Sequence, residues 1–160
     1  MPLLDGKHIL VGVGGSIAAY RACDVVRRLR ELGATVRVAP TKAATAFVTP
    51  MTFEALSGEA TLGGVLDVER GKIPHIEEAY RASAAVVVPA TADLIAKMAH
   101  GFGDDALLAT LLSLRGPLIV APAMETRMWE HAATRANART LQERGALLIG
   151  PVDGSLASGR

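Results

Sequence analysis

The sequence predicts an α/β domain built on a buried parallel sheet, and three features predict it. Short runs of Val, Ile, Leu and Ala recur without polar alternation, as strands covered on both faces require. The runs end in turns rich in Gly, Pro or Thr, and segments with apolar residues at helical spacing follow. Half of the 160 residues are apolar, yet aromatics make up only 4%, so small and branched aliphatic side chains must fill the interior. A chain of this length supports one domain with a substantial core.

The first strand is expected at Lys7–Val13 and the first helix at Ser16–Leu32, closed by Gly33 as a C-cap. Ala34–Ala39 reads as the second strand and ends at Pro40-Thr41-Lys42. Ala43–Val48 reads as a short helix; Thr49-Pro50 breaks it, and Pro50 opens the next helix, Met51–Leu56. Glu59–Lys72 mixes glycines and charges and reads as an irregular surface excursion, functional or at a subunit contact. Ile76–Ala82 reads as helix, and Ala84–Ala90 is the strongest buried strand. Thr91-Ala92-Asp93 caps a helix running to Met98 or His100. Gly101–Asp105 is a turn, Ala106–Leu114 a helix, and Leu118–Ala121 a strand opened by Gly116-Pro117. Pro122–Trp129 reads as a ligand-facing loop, Asn137–Arg144 as a helix and Ala146–Ile149 as the last strand. Gly150–Arg160 is loop-like.

Composition excludes several classes. Formal net charge is +1, which does not point to nucleic acid or an anionic membrane surface. No apolar run approaches the ~20 residues of a membrane span. The start, Met1-Pro2-Leu3-Leu4-Asp5, carries no basic segment followed by an apolar one, so no signal peptide is expected. Cys23 is the single cysteine. It forbids an internal disulfide, fits a reducing cytoplasm and reads as a small semi-buried residue.

The candidate chemistry sits at strand ends. Gly12–Tyr20 joins an apolar strand to a helix through Gly14-Gly15-Ser16. Glycines allow close approach of a ligand, and unpaired N–H groups at a helix start suit a phosphate. The dinucleotide fingerprint wants glycine at its sixth position, where Ile17 stands. The stretch therefore reads as a phosphate loop or as a plain strand-to-helix turn. After the second strand an NAD site would place Asp or Glu. Thr41 and Lys42 stand there instead; they suit a phosphate or flavin, or are neutral loop residues. Phe47 reads as core or as cofactor partner. Pro74 fixes the backbone before His75, which is placed to act as acid, base or anion binder, or to sit as an ordinary surface histidine. His8, His100 and His131 lack companions at metal-ligand spacing and read as structural; no metal is expected. Thr91 and Asp93 read equally as helix caps and as ligand contacts.

Gly12–Tyr20, Pro74-His75-Ile76, Pro89–Asp93 with Ile95-Ala96-Lys97, Gly101–Leu108, Pro122-Ala123-Met124 with Met128-Trp129, and Gly150-Pro151 with Gly154 and Leu156-Ala157 form one ordered pattern. On these stretches the chain resembles the FMN-dependent cysteine decarboxylases, and within them the branch acting on 4'-phosphopantothenoylcysteine in coenzyme A biosynthesis. The resemblance implies a Rossmann-like (flavodoxin-like) three-layer sandwich in a single cytoplasmic domain. It implies FMN at the interface of a homotrimer, or of four trimers forming a dodecamer. It assigns Gly15 and Ser16 to the FMN phosphate, with Gly14 and Ile17 beside them among the cofactor-binding residues. Thr41 and Phe47 flank the flavin, and Pro89, Ala90, Thr91 and Asp93 contact it. His75 becomes the essential histidine, Met124 and Glu125 the substrate grip, and Ser158 the group in the final step. The implied chemistry oxidises the cysteinyl CH2–SH to a thioaldehyde, so that the carboxylate leaves into a conjugated acceptor; returning the hydride gives 4'-phosphopantetheine.

Four departures from the family pattern bear on this expectation. Glu125 replaces Asn after Pro-Ala-Met and should repel a substrate carboxylate unless protonated or turned away. Ser158 replaces the cysteine of Leu-Ala-Cys-Gly, and a hydroxyl is a far poorer acid than a thiol. Asp93 stands where Asn is usual. The chain ends at Arg160, which is read as a flavoprotein domain over 1–160 with its C-terminal clasp truncated. Two other outcomes stay open: oxidative decarboxylation of a peptide C-terminal cysteine, and a non-catalytic FMN-binding scaffold. Flavin prenyltransferases share the architecture, but His75 and Met124–Trp129 match the decarboxylases better.

Overall fold

The computed structural model describes residues 1–154. Its middle layer is a five-stranded sheet. The strands are β1 (His8–Val13), β2 (Thr35–Pro40), β3 (Ala84–Ala90), β4 (Leu118–Pro122) and β5 (Leu147–Leu148). All pairings are parallel, and the order is β2-β1-β3-β4-β5. The order reverses between β1 and β3. There the following connections leave to opposite faces and open a crevice at the carboxyl ends of the strands.

Alternation along β1 explains the layers. Ile9, Val11 and Val13 point to one core with Val36, Val38, Ala22, Val26 and Phe53. Those partners come from β2, α1 (Arg21–Glu31) and α2 (Pro50–Ser57). Leu10 points the other way, into a core with Val87, Val120, Leu94, Ile95, Leu107, Leu108 and Leu141. That face is covered by α3 (Pro74–Arg81), α4 (Ala92–Ala99), α5 (Ala106–Ser113) and α7 (Ala132–Glu143). Leu10, Ile95, Leu108 and Phe53 are among the largest fully buried side chains, and each contributes ~1.5–3 kcal/mol by leaving water. Gly12 is small because Leu107 packs over it: a Cβ there would meet the Leu107 side chain at 2.6 Å.

The α/β sandwich expected from the sequence is the fold observed, and the differences are local. The first helix opens with a 3-10 turn, Ile17–Tyr20, before α1 begins. Helix α3 starts at Pro74, not Ile76, because proline suits the first helical position. The stretch expected as loop after β4 contains a short helix, α6 (Thr126–Glu130), capped by the Glu125 side chain. Helix α7 starts at Ala132 rather than Asn137, because His131 Nδ1 accepts the Ala133 N–H at 3.1 Å and caps it. The last strand shrinks to Leu147–Leu148 at the sheet edge. Proline inside a central strand is unusual. Here Pro89 coincides with a register shift between Val87 and Ala90 against β4, so its missing N–H leaves no broken ladder bond.

Candidate cofactor cavity

A cavity of about 1360 Å³ opens over the carboxyl ends of the strands. Each strand contributes a wall: Gly15-Ser16-Ile17 after β1, Thr41-Lys42-Ala43 after β2, and Thr91 to Leu94 after β3. Pro122 to Glu125 follow β4, and Pro151 with Val152 follows β5. Parallel strands put all these loops on one edge, as the sequence reading required.

The loop after β1 is held down tightly. Gly14 N–H donates to Pro89 O at 3.0 Å, and a Cβ on Gly14 would collide with that same oxygen. A Cβ on Gly15 would collide with the Ala43 side chain and lie 2.8 Å from its carbonyl carbon. Glycine at both positions therefore lets three chain segments close on one another. This is a cradle that any side chain would fill.

Three hydroxyls converge on the cradle. Ser16 Oγ accepts from Ala18 N at 3.2 Å, Thr41 Oγ1 from Ala44 N at 3.2 Å, and Thr91 Oγ1 from Leu94 N at 3.2 Å. Each oxygen is thereby fixed in orientation, and its proton has no acceptor among the described residues. Three O–H donors remain for a ligand's phosphate, carbonyl or ring nitrogen.

The rim is charged. Lys97 Nζ lies 3.3 Å from Asp104 and 3.5 Å from Asp93. The hydrogen bond that Lys97 donates to the Asp104 carboxylate is the main cause that raises the Lys97 pKa. Asp105 caps α5, its Oδ1 accepting from Leu108 N at 2.7 Å. Burial pushes its carboxyl above the ordinary 3.8, despite that bond. Asp104 and Asp105 fell within what the sequence reads as a turn. The available signal was an Asp immediately before an apolar helix.

Glu125 lines the cavity, but its Oε2 accepts from Arg127 N at 2.8 Å. The carboxylate is turned back onto the start of α6, which it caps. Met124 and Met128 line the cavity beside it. Trp129 packs on the core and stacks with Arg135, whose guanidinium carbon is 5.0 Å from the ring centre.

The structure brings Gly15, Ser16, Ile17, Thr41, Thr91, Asp93, Met124 and Glu125 to one cavity. Gly14, Pro89 and Ala90 are buried and do not line it. Phe47 is half exposed and is not part of the cavity wall. His75, the second residue of α3, also lies off the wall of its own chain. Its Nδ1 is buried and has no hydrogen-bond partner. Ser158 lies outside the described residues. No group of side chains suited to a metal ion occurs among the described residues, and no helix is long and apolar enough to cross a membrane.

The sequence profile of the family described as Flavoprotein matches residues 3–159. The chain belongs to the flavoprotein family. This flavoprotein is 50% identical over 150 residues to the coenzyme A biosynthesis bifunctional protein CoaBC of Mycobacterium tuberculosis, covering 94% of this chain and 36% of the relative. It is 45% identical over 160 residues to the CoaBC of Vibrio cholerae, covering 99% of this chain and 40% of that one. The flavoprotein thus spans well under half the length of these curated relatives. Among solved structures, the FMN-dependent cysteine decarboxylase SpaF superposes with a TM-score of 0.89 at 34% identity, over 94% of this chain and 87% of SpaF. A cysteine-to-serine mutant of PPC decarboxylase, complexed with pantothenoylaminoethenethiol, superposes with a TM-score of 0.84 at 28% identity, over 96% and 86% of the two chains. The family read from the motifs is the family found.

Proposed function

We propose that this flavoprotein binds FMN and decarboxylates 4'-phosphopantothenoylcysteine to 4'-phosphopantetheine, as a cytoplasmic enzyme of coenzyme A biosynthesis. The observation that carries the reading is the glycine cradle with its three free hydroxyl protons, at the strand ends of a cysteine-decarboxylase-like chain. The donor set fits FMN. Gly15 N–H and Ser16 hold the phosphate at the start of the 3-10 turn, with Gly14 and Ile17 shaping the loop. Thr41, and Thr91 with Asp93, hold the ring system, and Pro89 and Ala90 support it from below; Phe47, off this wall, flanks the flavin of a neighbouring protomer. When bound, FMN supplies the two-electron acceptor that a plain cysteinyl carboxylate lacks.

This chain's own residues do the rest. Met124 presents an apolar wall to the cysteinyl side chain. Glu125, anchored as a cap, fixes where the α6 backbone meets the carboxylate. His75 holds or moves a proton at the substrate thiol, a role typically worth ~10²–10⁴-fold. Because His75 lies off its own chain's cavity wall, it serves the cavity of a neighbouring protomer. The assembly is a homo-oligomer, a trimer or a dodecamer of four trimers. Exposed Ile17, Tyr20, Phe47, Met51 and Ile73 supply apolar surface for that contact.

The test is an absorption spectrum of the purified protein with mass spectrometry of the released chromophore, followed by turnover of the substrate. A yellow protein releasing FMN, active as isolated and inactive as His75→Asn, is the expected result. Colourless protein that stays so after FMN addition overturns it. Ser158 favours a second reading: with a hydroxyl where the family has a thiol, the reaction stops at the enethiol. Loss of CO2 alone from the substrate supports full turnover, and loss of two further hydrogens supports the oxidative outcome.

A further inference from the structure

The second face of the sheet changes character toward the amino ends of β1 and β2. Leu10, one pair further along, enters the apolar core. His8, Thr35 and Arg37 share that face but are polar, and α3 lies over them. The α3 residue meeting them is Glu78, whose side chain is 1% exposed. Glu78 Oε1 is 2.6 Å from His8 Nε2, and Glu78 Oε2 is 3.6 Å from Arg37 Nη1. The other ring nitrogen of His8 is 2.8 Å from Thr35 Oγ1. Arg37 reaches outward to Glu69 at 3.4 Å and to the Ala60 carbonyl at 3.1 Å. The chain thus buries a carboxylate, an imidazole and most of a guanidinium where the apolar core would otherwise continue.

Burying such groups is unfavourable unless they satisfy one another in a single geometry. A cluster of this kind therefore selects one placement of the helix that carries it. Helix α3 needs such selection. It is eight residues long, its N-cap Ile73 makes no side-chain bond, and an irregular excursion precedes it. Glu78 follows His75 by three positions, so both occupy one side of α3. Packing of Pro74 and Ala79 sets the depth of the helix, but apolar contacts tolerate rotation. The ionic contacts do not.

We infer that Glu78, gripped by His8 and Arg37, is a positioning unit for His75: it fixes the rotation of α3 and thereby the direction in which the imidazole points. The inference rests on the proposed role of His75. Nothing in the cluster touches the cavity, so its loss leaves cofactor and substrate binding intact and acts on the chemical step. Misplacement of a reacting group by about 1 Å costs up to ~100-fold in rate.

The test compares steady-state kinetics of Glu78→Gln, His8→Gln and the double variant, each as the flavin-loaded oligomer, with His75→Asn as reference. Expected for Glu78→Gln is a kcat lower by about 10- to 100-fold with KM and FMN affinity within about twofold. The double variant loses about as much as the worse single variant, because both substitutions break the same contact. If Glu78→Gln does not assemble, His8→Gln carries the same expectation. Unchanged kcat in folded Glu78→Gln or His8→Gln, while His75→Asn is inactive, overturns the positioning role and leaves the role of His75 standing. Full activity in His75→Asn instead overturns the reading on which the inference rests. A parallel rise in KM and loss of FMN would mark a general packing defect and also overturn it.

Discussion

Replacing Gly15 by alanine puts the cradle to a quantitative test. The added Cβ collides with the Ala43 side chain and stands 2.8 Å from the Ala43 carbonyl carbon and 3.0 Å from its Cα. Ordinary packing needs about half an ångström more, and the nearest obstacle includes backbone, so the loops after β1 and β2 must part. Overpacking of this kind costs about 1–3 kcal/mol. Both loops face the cavity, and a bound phosphate needs them closed. The cost therefore falls on the bound state, raising the FMN dissociation constant by about 5- to 140-fold. Flavin fluorescence quenching on titration into apoprotein measures it, and thermal unfolding of the same apoprotein shows how much falls on the fold itself. Adding Ala43→Gly removes the Cβ–Cβ collision but not the backbone one, and should restore affinity in part. An FMN affinity within twofold of the parent, or a lower melting temperature with unchanged affinity, would refute the cradle.

Further outcomes follow from the caps and ion pairs. Asp105→Asn keeps the α5 cap and sheds a buried charge, whereas Asp105→Ala loses the cap and costs ~1 kcal/mol. Because burial raises the Asp105 pKa above 3.8, its favourable contribution is present below that value and lost as pH rises through the higher folded one. The advantage of Asn over Asp in denaturant unfolding should widen from pH 4 to pH 7. Glu59 is held below its usual 4.5, chiefly by the Arg81 hydrogen bonds. That pair stabilises above pH 4.5 and weakens as pH falls through the lowered value, and since Arg81 is well exposed, Arg81→Ala should cost no more than ~1 kcal/mol at pH 7. Glu125→Ala should raise substrate KM more than Glu125→Asn, which keeps the α6 cap; the reverse order would mean that charge, not capping, governs the site.

How much of this was legible beforehand depends on the range of the interaction. The unbroken apolar runs at Ile9–Val13 and Ala84–Val88 carry their own message, because a strand covered on both faces has no reason to alternate. The loop residues Ser16, Thr41 and Thr91 could be placed at one edge from strand polarity alone. The start of α7 could not, because histidine is not a usual N-cap and His131 acts only through the ring geometry the fold gives it. The pairing of His8 with Glu78 was also hidden: the residues are 70 positions apart, and each alone reads as an ordinary polar residue. The charged rim of Lys97, Asp104 and Asp105 was hidden in part, since a turn sequence does not reveal what the turn faces.

The hydrogen bond from Gly14 N–H to the Pro89 carbonyl ties together the tips of the two strands that flank the crevice. Loops that share such a yoke cannot open independently, so the gap between them is set during folding and not by the guest. A nucleotide arriving there meets a fixed span, and little ordering of the host remains to be done. Analogues with a longer or shorter tether between ring and phosphate should therefore be rejected by geometry, even when every donor they need is present.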